Sequence, residues 1–177
     1  MTQVYFKKEI LISFMVGFLL GIIYCNLGGN AYLSSNGIFS EYFLSSFLPQ
    51  SVISNGFLFY LALVRVVPIA VIFVLGYTGF HKASVVISLV WTGFSNGMLV
   101  SSAIIVMGMK GLFFYLSAMF PQLLFYVPAY FLVLIQSYRY KNQEWNLPKF
   151  VFAGLMIGMG VVSEALLNPY VIALVLK

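Results

Sequence analysis

Residues 56–80 read GFLFYLALVRVVPIAVIFVLGYTGF, an apolar run interrupted by a single charge, Arg65. A hydrocarbon core roughly 30 Å thick takes about 20 residues of helix at 1.5 Å per residue, so the run is long enough to cross a bilayer. Working outward, runs at about 10–27, 83–108, 112–137 and 150–176 meet the same requirement. Only His81-Lys82 parts the second run from the third, and only Met109-Lys110-Gly111 parts the third from the fourth. In lipid a backbone without internal hydrogen bonds is costly, so segments of this length are helices. The fold expected is all-α: a polytopic membrane protein, one domain over residues 1–177, built as a bundle of five transmembrane helices.

The composition agrees. Hydrophobic residues make up 62% of the chain and charged residues 7%, against about 25% charged in soluble domains. Lys and Arg number nine and Asp plus Glu four, none of them Asp, for a net charge of +5. The basic residues are scattered between apolar runs and form no patch or stripe, which argues against a nucleic-acid partner. Lys7-Lys8 before an apolar run also suits a signal peptide. The run is long for one, and no Ala-x-Ala site follows, so a retained helix is expected.

Orientation follows from the basic residues, which concentrate on the cytoplasmic side. With the N-terminus inside, the inner segments hold Lys7, Lys8, Lys82, Arg139, Lys141 and Lys149, and the outer ones only Lys110 and Lys177. The expected topology is N-in, C-out, in the cell membrane, with Tyr138, Tyr140 and Trp145 as interfacial anchors. The long outer loop contains Phe39, Phe43 and Phe47 at four-residue spacing, beside Ile38, Tyr42 and Leu48. This spacing predicts a short amphipathic helix in the interface. It either lids the bundle or docks a partner.

Three spans carry Gly-x-x-x-Gly pairs: Gly17/Gly21, Gly93/Gly97 and Gly154/Gly158. Small residues one turn apart let helices approach closely in lipid, either within one chain or between copies in a homo-oligomer. Arg65, Asn96, Gln122 and Glu164 fall about 13–20 Å below the outer surface, in one polar layer near the midplane. A charge at a helix centre costs about 2.5–3.5 kcal/mol on insertion scales. Mutual pairing of Arg65 with Glu164, with amide neighbours, is therefore the expected arrangement, and a proton or ion pathway is the other use of such a layer. Pro68, Pro121, Pro128 and Pro169 interrupt the helical hydrogen-bond ladder.

Chemistry has little to work with. A pair of catalytic aspartates is impossible without Asp, and one His excludes a His-Glu-x-x-His zinc site. His81 falls at the cytoplasmic surface, and the lone Cys25 reads as an apolar filler near the outer face. No glycine-rich nucleotide loop is present. The chain is expected to be no enzyme and to hold no cofactor and no metal.

The spacing of Gly76, Gly93, Gly97, Gly108 and Gly111, followed by Pro121-Gln122 and Pro128-Ala129, resembles that of the stage II sporulation protein M family. Glu164-Ala-Leu-Leu-Asn168-Pro169 resembles that family's late Glu…Pro motif, so the likeness extends over about residues 70–175. The resemblance implies several helical spans, a short cytoplasmic N-terminus and a scaffold that holds peptidoglycan-degrading proteins, an amidase and a lytic transglycosylase, at the membrane. The first outer loop, though the longest of this chain, is short beside the sporulation pattern, and the lack of proline between Tyr77 and Lys82 is a second departure from it. The expected function is a non-enzymatic membrane scaffold with membrane or cell-wall protein partners. The alternative is a transporter or small-channel subunit that uses the polar layer.

Overall fold

The computed structural model describes residues 2–29, 55–139 and 146–175. The interfacial helix expected around Phe39, Phe43 and Phe47 lies outside the described residues, as do Tyr140, Lys141, Trp145 and Lys177. The helices are α1 (Thr2–Tyr24, continued by a π-helical turn at Cys25–Gly29), α2 (Asn55–Leu75), α3 (His81–Met107), α4 (Met109–Arg139) and α5 (Leu147–Val175). All five are long and apolar enough to span a membrane. No strand occurs among the described residues.

The ends of the helices follow from particular residues. The second run was expected to stay apolar to Phe80, but α2 stops at Leu75. Gly76 and Gly79 are poor helix formers, and the Thr78 side chain closes the end. Its hydroxyl donates to the Leu75 carbonyl at 2.7 Å and accepts from the Phe80 N–H at 3.3 Å. Between α3 and α4 the chain turns at Gly108, whose φ of 63° suits a residue without Cβ. Gly111 then lies against the Ala103 carbonyl, where any side chain would collide with backbone. Pro68 lies inside α2, and Pro121 and Pro128 lie inside α4, which runs on through both. Residue 169 likewise lies within α5.

The chain divides into two compact units, Met1–Gln50 with Val86–Leu116, and Ser51–Val85 with Ser117–Lys177. In the first, α1 and α3 pack glycine to backbone. A Cβ on Gly17 or Gly21 would strike the carbonyl of Val90 or Phe94. A Cβ on Gly93 or Gly97 would strike that of Phe14 or Phe18. The register advances together along both helices, so they run parallel, and both Gly-x-x-x-Gly pairs are consumed in one crossing. Lipid gives apolar side chains no reason to associate, so close backbone packing of this kind is what holds such helices together. Cys25 extends the crossing: it is fully buried, and its Sγ donates to the Met98 carbonyl at 3.5 Å.

In the second unit α2 packs against α5, and α4 contributes its part from Ser117 onward. Gly76 gives room to the buried Ser137, whose hydroxyl donates to the Ile72 carbonyl at 3.3 Å. Gly154 and Gly158 behave differently from the other pairs: a Cβ on either would meet nothing within 4 Å.

Candidate functional site

The second unit holds the ionic centre. The contacts Tyr130 to Arg65 and Ser137 to Ile72 advance together, so α2 runs parallel to α4. Only residues 140–146 join α4 to α5, a connection short enough to make them antiparallel, so α2 and α4 both run opposite to α5. Arg65 is carried by α2 at the turn before Pro68, and Glu164 by α5. The guanidinium makes a two-pronged contact, Nε to Oε2 at 3.0 Å and Nη2 to Oε1 at 2.5 Å. A fork of this geometry satisfies both carboxylate oxygens at once, which is how Arg best compensates a charge withdrawn from water. Glu164 is nearly enclosed, with 10% of its side chain exposed, while Arg65 keeps 36%.

Two tyrosines of α4 complete the centre. The Tyr126 hydroxyl donates to Glu164 Oε2 at 2.8 Å, and the Arg65 guanidinium lies 5.1 Å from the centre of the Tyr126 ring. One side chain therefore serves both charges, the carboxylate through its hydroxyl and the cation through its π face. The Tyr130 hydroxyl donates to the backbone carbonyl of Arg65 at 3.1 Å. Pro68 supplies no N–H to this stretch of α2 and disturbs its ladder, and Tyr130 brings a donor from outside the helix to the carbonyl next in line. Room for the Tyr126 ring comes from Gly160, where a Cβ would run into the ring itself.

The four residues of the expected polar layer have different partners. Arg65 and Glu164 pair, but their further hydrogen bonds go to Tyr126 and Tyr130 rather than to amides. Asn96 belongs to the other unit, where its Oδ1 accepts from the Tyr115 hydroxyl at 2.6 Å and its Nδ2 donates to the Thr92 carbonyl at 2.7 Å. Gln122 is buried, and its Oε1 has no donor among the described residues; the same holds for Asn168 Oδ1. Gln122 precedes Tyr126 by one turn of α4, and Asn168 follows Glu164 by one turn of α5. Because the helices are antiparallel, both steps lead to the same side of the ion pair.

Sequence reasoning missed Tyr126, Tyr130 and Gly160. The signal was present as spacing: Gln122, Tyr126 and Tyr130 recur every four residues on α4, and Gly160, Glu164 and Asn168 do so on α5. Residues four apart share a helix face, so each helix carries one stripe of polar and small positions. Of the glycines and prolines whose spacing the sequence singled out, Gly97, Gly108 and Gly111 serve the α1–α3 crossing and the α3–α4 turn. Glu164 serves the ion pair, and Pro121 and Pro128 lie within α4.

Among the described residues these features define the class: an all-helical protein with five candidate membrane spans and a part-buried, tyrosine-braced ion pair. No family model matches the chain, no curated protein is significantly similar to it, and no solved structure resembles it significantly.

Proposed function

We propose that this chain is a non-enzymatic integral membrane scaffold, seated in the cytoplasmic membrane with its N-terminus inside and C-terminus outside. The observation that carries this reading is the full engagement of the Glu164 carboxylate. Both carboxylate oxygens take donors from Arg65, and Tyr126 adds a third hydrogen bond. A group so occupied fixes helix positions, whereas a carrier needs a charge that changes partner during its cycle. The bias of basic residues toward the inner segments supports the orientation. The glycine and proline spacing quoted above supports a role similar to that of the stage II sporulation protein M family. Under that role the outer loop around Phe39, Phe43 and Phe47 meets proteins that act on the cell wall, and the apolar helix faces meet other membrane proteins or a second copy.

Two measurements test this. A cysteine introduced at Lys177 should react with an impermeant reagent from outside intact cells, and one at Thr2 should not; the reverse pattern overturns the orientation. A photo-crosslinker at Phe43 should trap a peptidoglycan-degrading protein in cells, and purified chain in liposomes should conduct no ions above the empty-vesicle background. Flux that disappears in Glu164→Gln would replace the scaffold with the second reading, a transporter or channel subunit. The buried, donorless oxygens of Gln122 and Asn168 favour that reading, since a carbonyl oxygen in a dry site is a natural place for a cation or water.

A further inference from the structure

One helical turn from the Arg65–Glu164 fork, toward the start of α4 and the end of α5, unpaired acceptors collect. Gln122 is 8% exposed, and its Oε1 has no hydrogen-bond donor among the described residues. The buried Oδ1 of Asn168 has none either. Tyr126 sets the level at which these two side chains stand. A Cβ on Gly160 would strike its ring, and its hydroxyl reaches Glu164, so it lies along the 160–164 turn of α5. Because α4 and α5 are antiparallel, the residue one turn earlier on α4 lies along the next turn of α5, 164–168. That residue is Gln122.

Two prolines add main-chain oxygens to the same layer. A helix carbonyl points toward the C-terminus and accepts from the N–H four residues on. Pro121 has no N–H to give Ser117, and Pro169 has none to give Ala165. The Ser117 carbonyl points toward the level of Gln122, and that of the buried Ala165 toward the level of Asn168. The helices run in opposite directions, so the two carbonyls address one layer from its two sides.

Acceptors in a dry site cost free energy unless a donor or a cation meets them. Carbonyl oxygens of this kind replace the water shell of sodium or potassium in membrane proteins. A divalent ion would call for carboxylates. No group of three or more His, Cys, Asp or Glu is placed to hold a metal among the described residues, and both Glu164 oxygens are engaged.

We infer that Gln122 and Asn168, with the main-chain carbonyls of Ser117 and Ala165, bind a monovalent alkali cation between α4 and α5. Arg65 does not act on it as a free charge would, since Glu164 holds the guanidinium in its fork. The inference does not rest on the scaffold reading. An ion that stays bound ties α4 to α5 without crossing the membrane.

Thermal unfolding of the full chain in detergent tests it, in sodium, potassium or N-methylglucamine chloride at equal ionic strength. Wild type should unfold at a higher temperature in at least one alkali salt than in the organic one, with a dependence that saturates. An ion at about a hundred times its Kd should shift the folding equilibrium about a hundredfold. Gln122→Met and Asn168→Leu, each close in volume to the residue replaced, should lose that dependence. Tyr115→Phe, whose hydroxyl serves Asn96 in the other unit, should keep it. Identical unfolding of wild type in all three salts overturns the inference whether or not the variants fold, and leaves water as the partner of the two amides. A cation dependence that survives in either folded amide variant overturns it as well, because the ion then binds elsewhere.

Discussion

The two units use the same small-residue vocabulary to opposite ends. In the first, the glycines of α1 and α3 each receive a carbonyl of the facing helix, so the motif is spent on a crossing. In the second, Gly154 and Gly158 receive nothing, and the helices are joined instead by the Arg65–Glu164 fork and its tyrosines. Close backbone packing works by dispersion at short range and tolerates no added atom. An ion pair in hydrocarbon works through the penalty of separation, because either charge alone is costly there. The first unit should therefore be sensitive to volume and the second to charge.

The sharpest way to break that contrast is through the pair. Arg65→Met leaves the enclosed Glu164 without its partner, and Glu164→Gln leaves the cation. Each should destabilise by about 3 kcal/mol, and the double variant by clearly less than the sum. Equilibrium unfolding in mixed micelles gives all three values. Simple additivity would show that the pair does not bind the helices, and the comparison between units would lose its basis.

Next in size is the volume test. Gly93→Leu drives a side chain into the Phe14 carbonyl and should cost about 2–3 kcal/mol, because backbone cannot move aside as a rotamer can. Gly154→Leu enters open space and should change stability by no more than about 0.5 kcal/mol. Equal effects in the same unfolding assay would mean the two glycine pairs are not used differently.

A smaller effect sharpens the account of the ionic centre. Gly160→Ala pushes on the Tyr126 ring and should cost about 1–2 kcal/mol. Most of that loss should vanish in a Tyr126→Leu background, where the ring is gone, so a double-mutant cycle reads the coupling directly. The smallest concerns Asn96. Tyr115→Phe removes its hydroxyl partner and should cost about 0.6 kcal/mol, the usual value of a hydrogen bond between membrane helices. A loss as large as that of Arg65→Met would mean that the first unit too depends on a polar centre.

How far the site could be read in advance differs from residue to residue. Arg65 and Glu164 stood out because charge in an apolar run is expensive and opposite charges have one economical solution. Asn96 and Gln122 shared their depth, yet depth along a helix says nothing of rotation about its axis. Asn96 had a tyrosine in its own unit, and tyrosines rather than amides reached the pair. A tyrosine in a membrane segment reads as an apolar body or an interfacial anchor. Its hydroxyl acquires a role only once a facing helix presents an acceptor.

By itself the sequence determined the number and rough extent of the spans and their all-helical character. Hydrocarbon enforces these locally, residue by residue, on any run of that length. It also determined that two opposite charges had to be reconciled within the membrane. Only the tertiary structure decided which glycines would be covered, that α2 would end at Thr78's cap, and that Tyr126 would serve both members of the pair. Those outcomes depend on which faces meet and in what register. Many registers satisfy the same apolar pattern, and they are separated by contacts of single atoms: a carbonyl against a missing Cβ, or a hydroxyl within reach of a carboxylate.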